Sequence, residues 1–455
     1  MSDPVQHSWR ESDRFVPRAF VRPALRFMQV EAAGGAVMLI AAIVALLWAN
    51  SPWKAGYETL WETPLNIALG DLAHIDLSLR DWVNDGLMAI FFLVVGLEIK
   101  RELVAGELRD PRAAALPAIA ALGGMAVPAL IYTAFNAGHP GSGGWGIPMA
   151  TDIAFAAGVV SLLGRRVPTG AKLFLLTLAI VDDLGAIVVI AIFYASDLSF
   201  GWLAIAIAAV AAAAWLRALH VRSLVPFVLL GASCWFALYE SGVHPTIAGV
   251  AFGLLCPAWS FHDPARFPGR ARRIIARMES TFEDGKLEIT EHEHNVSDLR
   301  ELVRLGQETE SPLDRVVDKL NLWVGFGVIP LFALANAGVE VGGAGVDRVA
   351  LGVAVGLVVG KTIGVFSATW LACKTGVGRL PAFTTWRHVF GLAICAGIGF
   401  TVALFVTGLS FEDAHLTDQA KVGILVGSFV AGIAGYLFLR ACPPTDQPPA
   451  RESRP

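Results

Sequence analysis

The sequence predicts an all-α polytopic membrane protein of twelve transmembrane helices, with two inverted-topology three-helix repeats and a small external β-hairpin. Three observations predict it. Of the 455 residues 55% are hydrophobic and only 16% charged, more apolar surface than a single soluble domain buries. The apolar residues gather into twelve runs, each near the roughly twenty residues a helix needs to cross a bilayer. Charged side chains stand at the midpoint of some runs, where they are costly unless partnered or hydrated.

The first 28 residues hold five arginines and no apolar core. They predict a cytoplasmic tail, not a cleaved signal peptide, with the first span as its own insertion signal. The runs follow at 30–50, 84–103, 113–135, 147–163, 171–195, 201–217, 224–239, 244–259, 320–340, 348–373, 387–411 and 420–440, inside a twelve-span unit at 29–441. An even count puts both termini on one side. That side holds Lys100-Arg101, Arg109, Arg112, Arg165-Arg166, Arg217, Arg222, Lys374, Arg379 and Arg387, whereas Asn136 to Gly144, Ser196 to Ser199 and Glu240 to His244 contain neither Lys nor Arg. The positive-inside rule therefore places both termini, including the tail at 442–455, in the cytoplasm.

Between the first two spans, at 63–80, Leu65, Ile67 and Leu69, then Ile75, Leu77 and Leu79, alternate with polar or small residues around Gly70-Asp71. Such period-two patterning predicts a hairpin. A lone two-stranded sheet is marginal in water, so an external hairpin gains by pairing with a copy of itself, which predicts a homodimer. A cytoplasmic insert at 261–318 is basic in its first half and acidic in its second. There Glu291-His292-Glu293-His294 is too weak a pattern for a metal site. The five cysteines lack paired spacing and read as small apolar residues. A net charge of −4 gives no sign of nucleic acid as a partner.

The chemistry lies between Trp145 and Tyr194. Asp182-Asp183 interrupt an apolar run at its midpoint, about 15 Å from either surface at about 1.5 Å per residue. The preceding run carries Pro148 and Thr151-Asp152, and the eleventh carries Gly397 and Gly399 in mid-membrane. These two interrupted runs sit in the middle of the blocks 113–195 and 347–441. Broken helices at matching places in two halves point to an inverted-repeat transporter with an ion site at the midplane. Lys361 stands at the centre of its own run and needs an anion, for which Asp152, Asp182 and Asp183 are the available partners. Successive helix positions lie about 100° apart, so Asp182 and Asp183 must divide roles: Asp183 with Thr151 toward a hydrated cation site, Asp182 shared between that cation and Lys361. At the cytoplasmic end of the second span, Glu98 and Glu102 share a face. They read either as a solvated cap or as a proton-sensing mouth.

Ala150-Thr151-Asp152-Ile153-Ala154-Phe155, Val181-Asp182-Asp183-Leu184-Gly185-Ala186, Gly96-Leu97-Glu98-Ile99-Lys100-Arg101-Glu102-Leu103, Leu331 to Gly338, Gly360-Lys361 and Gly397-Ile398-Gly399-Phe400-Thr401 closely resemble the NhaA family of bacterial sodium/proton antiporters, in order over 25–440. The resemblance implies interrupted helices crossing at the midplane, a dimer through the external hairpin, an inner-membrane location, and electrogenic exchange of cytoplasmic sodium or lithium for external protons without a cofactor. It further implies that Asp182, Asp183 and Thr151 bind the ions, that Asp152 and Lys361 are buried charge partners, and that Glu98 and Glu102 set the pH response. The chain departs from the family pattern in the length of the insert and in Val317-Asp318-Lys319-Leu320-Asn321-Leu322, which lacks Glu and His.

Two other classes use buried acids. An intramembrane aspartyl protease needs a dyad sharing one proton, which a lysine at the same depth would disturb. A channel needs a continuous pore, and saturation of the flux would separate it from a carrier.

Overall fold

The computed structural model describes residues 31–68, 74–221, 223–260, 262–282, 289–340 and 347–443. Among the described residues the protein is mostly helical, with one two-stranded sheet. Helix α1 (Glu31–Ala49) turns through 115° into the short α2 (Lys54–Glu62). The hairpin follows, β1 (Pro64–Ala68) antiparallel to β2 (His74–Ser78), with Leu65 opposite Leu77 and Ile67 opposite Ile75. This is the predicted pairing; Leu69 and the Gly70-Asp71 turn lie outside the described residues. Opposed residues of antiparallel strands share a face. On that face Ile75 and Leu77 are buried, while Leu65 and Ile67 of β1 are each 46% exposed.

A π-helical stretch (Trp82–Leu87) leads into α3 (Met88–Ala105). Asp110 then caps α4 (Pro111–Asn136) by accepting from the Arg112 amide, with Pro111 in the first turn, where its missing N–H costs nothing. A 3₁₀ stretch (Pro140–Met149), three extended residues and α5 (Ile153–Ser161) make up the fourth run, broken where Pro148 and Thr151-Asp152 predict. Helices α6 (Thr169–Phe193), α7 (Phe200–Ala218), α8 (Leu224–Ser241) and the short α9 (Ile247–Leu255) follow. The insert holds α10 (Phe267–Phe282) and α11 (Ile289–Thr309), which pack on each other. The side chains of Glu291 to His294 lie outside the described residues. Next come α12 (Pro312–Trp323), a π turn (Val324–Val328), α13 (Ile329–Asn336), α14 (Arg348–Val355), a π turn (Gly356–Gly360), α15 (Lys361–Lys374), α16 (Trp386–Cys395), α17 (Phe400–Ser410) and α18 (Ala414–Arg440).

Among the described residues seven helical stretches are long and apolar enough to cross a membrane: α4, α6, α7, α8, α12–α13, α14–α15 and α18. The bent pairs α1–α2 and α16–α17, the latter turning by 45°, raise this to nine. The remaining predicted runs have a physical reason to differ. Helix α3 ends in Glu98, Lys100, Arg101 and Glu102, and α5 and α9 are nine-residue half-helices preceded by non-helical chain.

Two features position the candidate functional side chains. Helices α4 and α15 run against each other where Gly123 and Gly364 meet, each without a side chain because a Cβ on either would strike the other's carbonyl oxygen. That close approach seats Lys361 beside Gly124. The second is the crossing of the chain at 150–152 with the chain at 396–399, buried in the apolar core.

Candidate functional site: a crossing of two broken helices

Where the helix stops before Ile153, backbone N–H and C=O groups lose their partners, and in a membrane interior each must find another. They find them across the crossing. The Asp152 amide donates to the Ile398 carbonyl at 2.6 Å and the Thr151 hydroxyl donates to the Ala396 carbonyl at 2.8 Å. A Cβ on Gly399 would come within 3.0 Å of the Ala150 carbonyl oxygen, so the glycine is what lets the two strands of chain touch. Gly397 serves the same packing against the Leu357 backbone.

Asp152 caps two helices at once. Its Oδ1 accepts from the Phe155 amide of α5 at 2.9 Å, and its Oδ2 accepts from the Thr401 amide of α17 at 3.1 Å and from the Thr401 hydroxyl at 2.8 Å. Both half-helices point their positive ends at this one carboxylate. Among the three acids offered to Lys361 by the sequence, Asp152 is thus engaged by helix termini. The lysine pairs with Asp182 at 2.5 Å, and both side chains are fully buried. Thr151 lies close beside that carboxyl.

Asp183 is 3% exposed and makes no hydrogen bond among the described residues. Its Oδ1 and the Oδ1 of Asp182 are buried without a partner there. Asp182, Asp152, Glu98 and Lys361 all lie close enough to act on it electrostatically. A carboxylate so placed, next to a second one with a spare oxygen, is suited to hold a small cation or a proton. Three of the predicted acids, Thr151 and Lys361 are therefore brought together, with Gly397 and Gly399 at the break.

Glu98 and Glu102 both stand on α3, outside the crossing, and act on each other electrostatically. Glu98 faces inward on α3 within electrostatic reach of Asp183. Glu102 sits at the end of that helix, where its Oε2 accepts from the Glu107 amide at 3.0 Å. Arg101 turns to Asp314 at 3.4 Å, an exposed pair joining α3 to α12.

Sequence reading missed three participants. Thr401 was visible only as a motif residue, although its place two after Gly399 marks it as a first-turn residue of α17. Ser428 of α18, whose Oγ accepts from the Gly399 amide at 3.3 Å, left no signal. The π turn before Lys361 widens α14–α15 just ahead of the buried charge.

A mostly helical membrane protein in which two interrupted helices cross beside buried acids is a transporter by class. Comparison with known proteins makes the class specific. The family model described as Na+/H+ antiporter 1 matches residues 25–439. The chain is 46% identical over 422 residues to the Na(+)/H(+) antiporter NhaA of Oleidesulfovibrio alaskensis, covering 92% of this chain and 93% of that relative. It is 46% identical over 421 residues to the Na(+)/H(+) antiporter NhaA of Rhodopirellula baltica, covering 92% and 94%. The chain belongs to the NhaA family of Na+/H+ antiporters and is a multi-pass membrane protein of sodium transport.

Proposed function

We propose that the chain is an electrogenic antiporter of the bacterial inner membrane that exports cytoplasmic sodium or lithium in exchange for a larger number of external protons, for sodium and pH homeostasis. The observation that carries this reading is Asp183, buried without a hydrogen-bond partner among the described residues beside the Lys361–Asp182 pair. A sodium ion needs several oxygens to replace its water. Asp183, Asp182, the Thr151 hydroxyl and carbonyls freed at the breaks supply that chemistry.

In this reading Asp182, Asp183 and Thr151 bind cation and protons in turn. Asp182 exchanges Lys361 for the arriving ion, and Asp152 and Lys361 remain as buried charge partners. Sodium and protons compete for the same carboxylates, which couples their movements. Moving more protons in than sodium out carries net positive charge inward, and each elementary charge gains about 2.3 kcal/mol per 100 mV of inside-negative potential. The transported ions are substrates, and no cofactor enters the cycle. Glu98, between Asp183 and the end of α3, and Glu102 would tune the response to pH.

Adding α3, the 3₁₀–α5 run and α9 to the nine stretches above gives twelve spans, with both termini cytoplasmic, tails at 1–28 and 442–455, and a cytoplasmic insert at 261–318. The repeats would be 113–195 and 347–441, each with its broken helix in the middle. Two copies would pair through the hairpin at 63–80, and the half-exposed Leu65 and Ile67 support that surface.

The test is sodium-driven proton movement in vesicles holding only this protein. Asp183→Asn should abolish exchange in correctly inserted protein; native rate and apparent affinity in that variant would overturn the reading.

A further inference from the structure

We propose that Thr401 is a positioning residue of the antiport site, whose hydroxyl locks the Asp152 carboxylate across the two broken helices and keeps it out of the cation's reach. The proposal rests on the reading of Asp182 and Asp183 as the ion site. Asp152 is 2% exposed, and its two oxygens accept three donors from two helices. Any residue but proline at 401 would bring the backbone N–H, and any such residue would leave α17 with Ser428 on its Gly399 amide. The hydroxyl is what this side chain adds.

Its effect follows from geometry. One amide on each oxygen already holds the carboxyl between the two helices and leaves Oδ2 with a free acceptor site. A second donor on Oδ2, from the same residue but a different direction, stiffens that hold and fills that oxygen's acceptor capacity. Asp152 then stays a fixed negative charge within electrostatic range of Asp183, and its Oδ2 does not compete with it as a ligand or proton acceptor. Without the hydroxyl, Oδ2 has a free lone pair and one tie fewer, and becomes an acceptor for the cation or a proton. Thr401 thus acts through Asp152 without touching the cargo.

The experiment uses the full chain in vesicles. Thr401→Val keeps shape and backbone and removes the hydroxyl; Thr401→Ser keeps the hydroxyl. Loss of a hydrogen bond to a charged group is expected to change the apparent sodium KM by about tenfold and to move the pH of half-maximal exchange by about one unit. Thr401→Ser should match the native protein in both. In an Asp152→Asn background Thr401→Val should add nothing further, because its partner's charge is already gone. A native KM and pH profile in Thr401→Val would overturn the proposal, as would a serine variant as altered as the valine one, or losses that simply add in the double variant. Should Thr401→Val fail to fold, the serine variant and thermal unfolding of Thr401→Ala carry the comparison: a stability loss with native KM and pH profile would reduce the residue to a structural one and overturn the proposal. Asp183→Asn separates the two readings. If it still exchanges, the ion-site reading fails; if it is dead while Thr401→Val is native, only this inference fails.

Discussion

Lys361 and Asp182 are both fully buried, and at 2.5 Å each is the other's compensation for leaving water. Removing one member of such a pair strands the other charge, at a cost of about 3–5 kcal/mol, whereas removing both is often close to neutral. Lys361→Ala should therefore lower the thermal stability of the detergent-solubilised protein, and Lys361→Ala with Asp182→Asn should recover most of that loss. Equal destabilisation by the single and double variants would show that the lysine's packing beside Gly124, not its charge, is what matters. This pair was legible in the sequence because a mid-membrane lysine demands an anion, and few anions share its depth. The bond between Thr401 and Asp152 was not, since it joins residues 249 apart through a cap, and a cap between distant segments leaves no local pattern.

At the scale of elements, the hairpin and both breaks could be read directly: period-two patterning, Pro148 and the glycines near 397 each act on the backbone locally. The twelve equal spans were less exact, because hydropathy counts apolar residues and does not register where the backbone leaves the helix, as it does before α5 and α9. Nor could sequence place α2, which turns back so that Tyr57 donates its hydroxyl to the Leu334 and Ala335 carbonyls at 2.8 and 3.0 Å. Those carbonyls end α13 and lack helical partners. A phenol ordinarily ionises only at about pH 10, so the lock between α2 and α13 is constant across the range in which an antiporter works. Tyr57→Phe should cost about 1–3 kcal/mol, from carbonyls left unpaired, and lower the unfolding temperature equally at pH 6 and pH 8. A loss seen at only one of these pH values would mean that a different group sets it.

For the whole molecule, the proposed ion site lies between two broken helices, and on that reading sodium and protons use it in turn. That has a kinetic signature. If sodium can enter only after a carboxylate has released its proton, each tenfold rise in proton concentration should raise the apparent sodium KM by about tenfold per proton displaced, while the maximal rate holds. Inhibition by acid is then overcome by sodium alone. The sign is fixed by mass action: lower pH weakens sodium binding at the side where sodium is taken up. Initial rates in vesicles at a series of pH values and sodium concentrations, with the membrane potential clamped, would measure both parameters. A maximal rate that collapses on acidification while KM stays constant would mean that protons act away from Asp182 and Asp183, and that coupling by competition at the crossing is wrong. Constant KM and constant rate together would remove the proton from the site altogether. A proton-sensitive KM that disappears in Asp183→Glu only in step with a change in sodium affinity would instead tie both ions to the same oxygens.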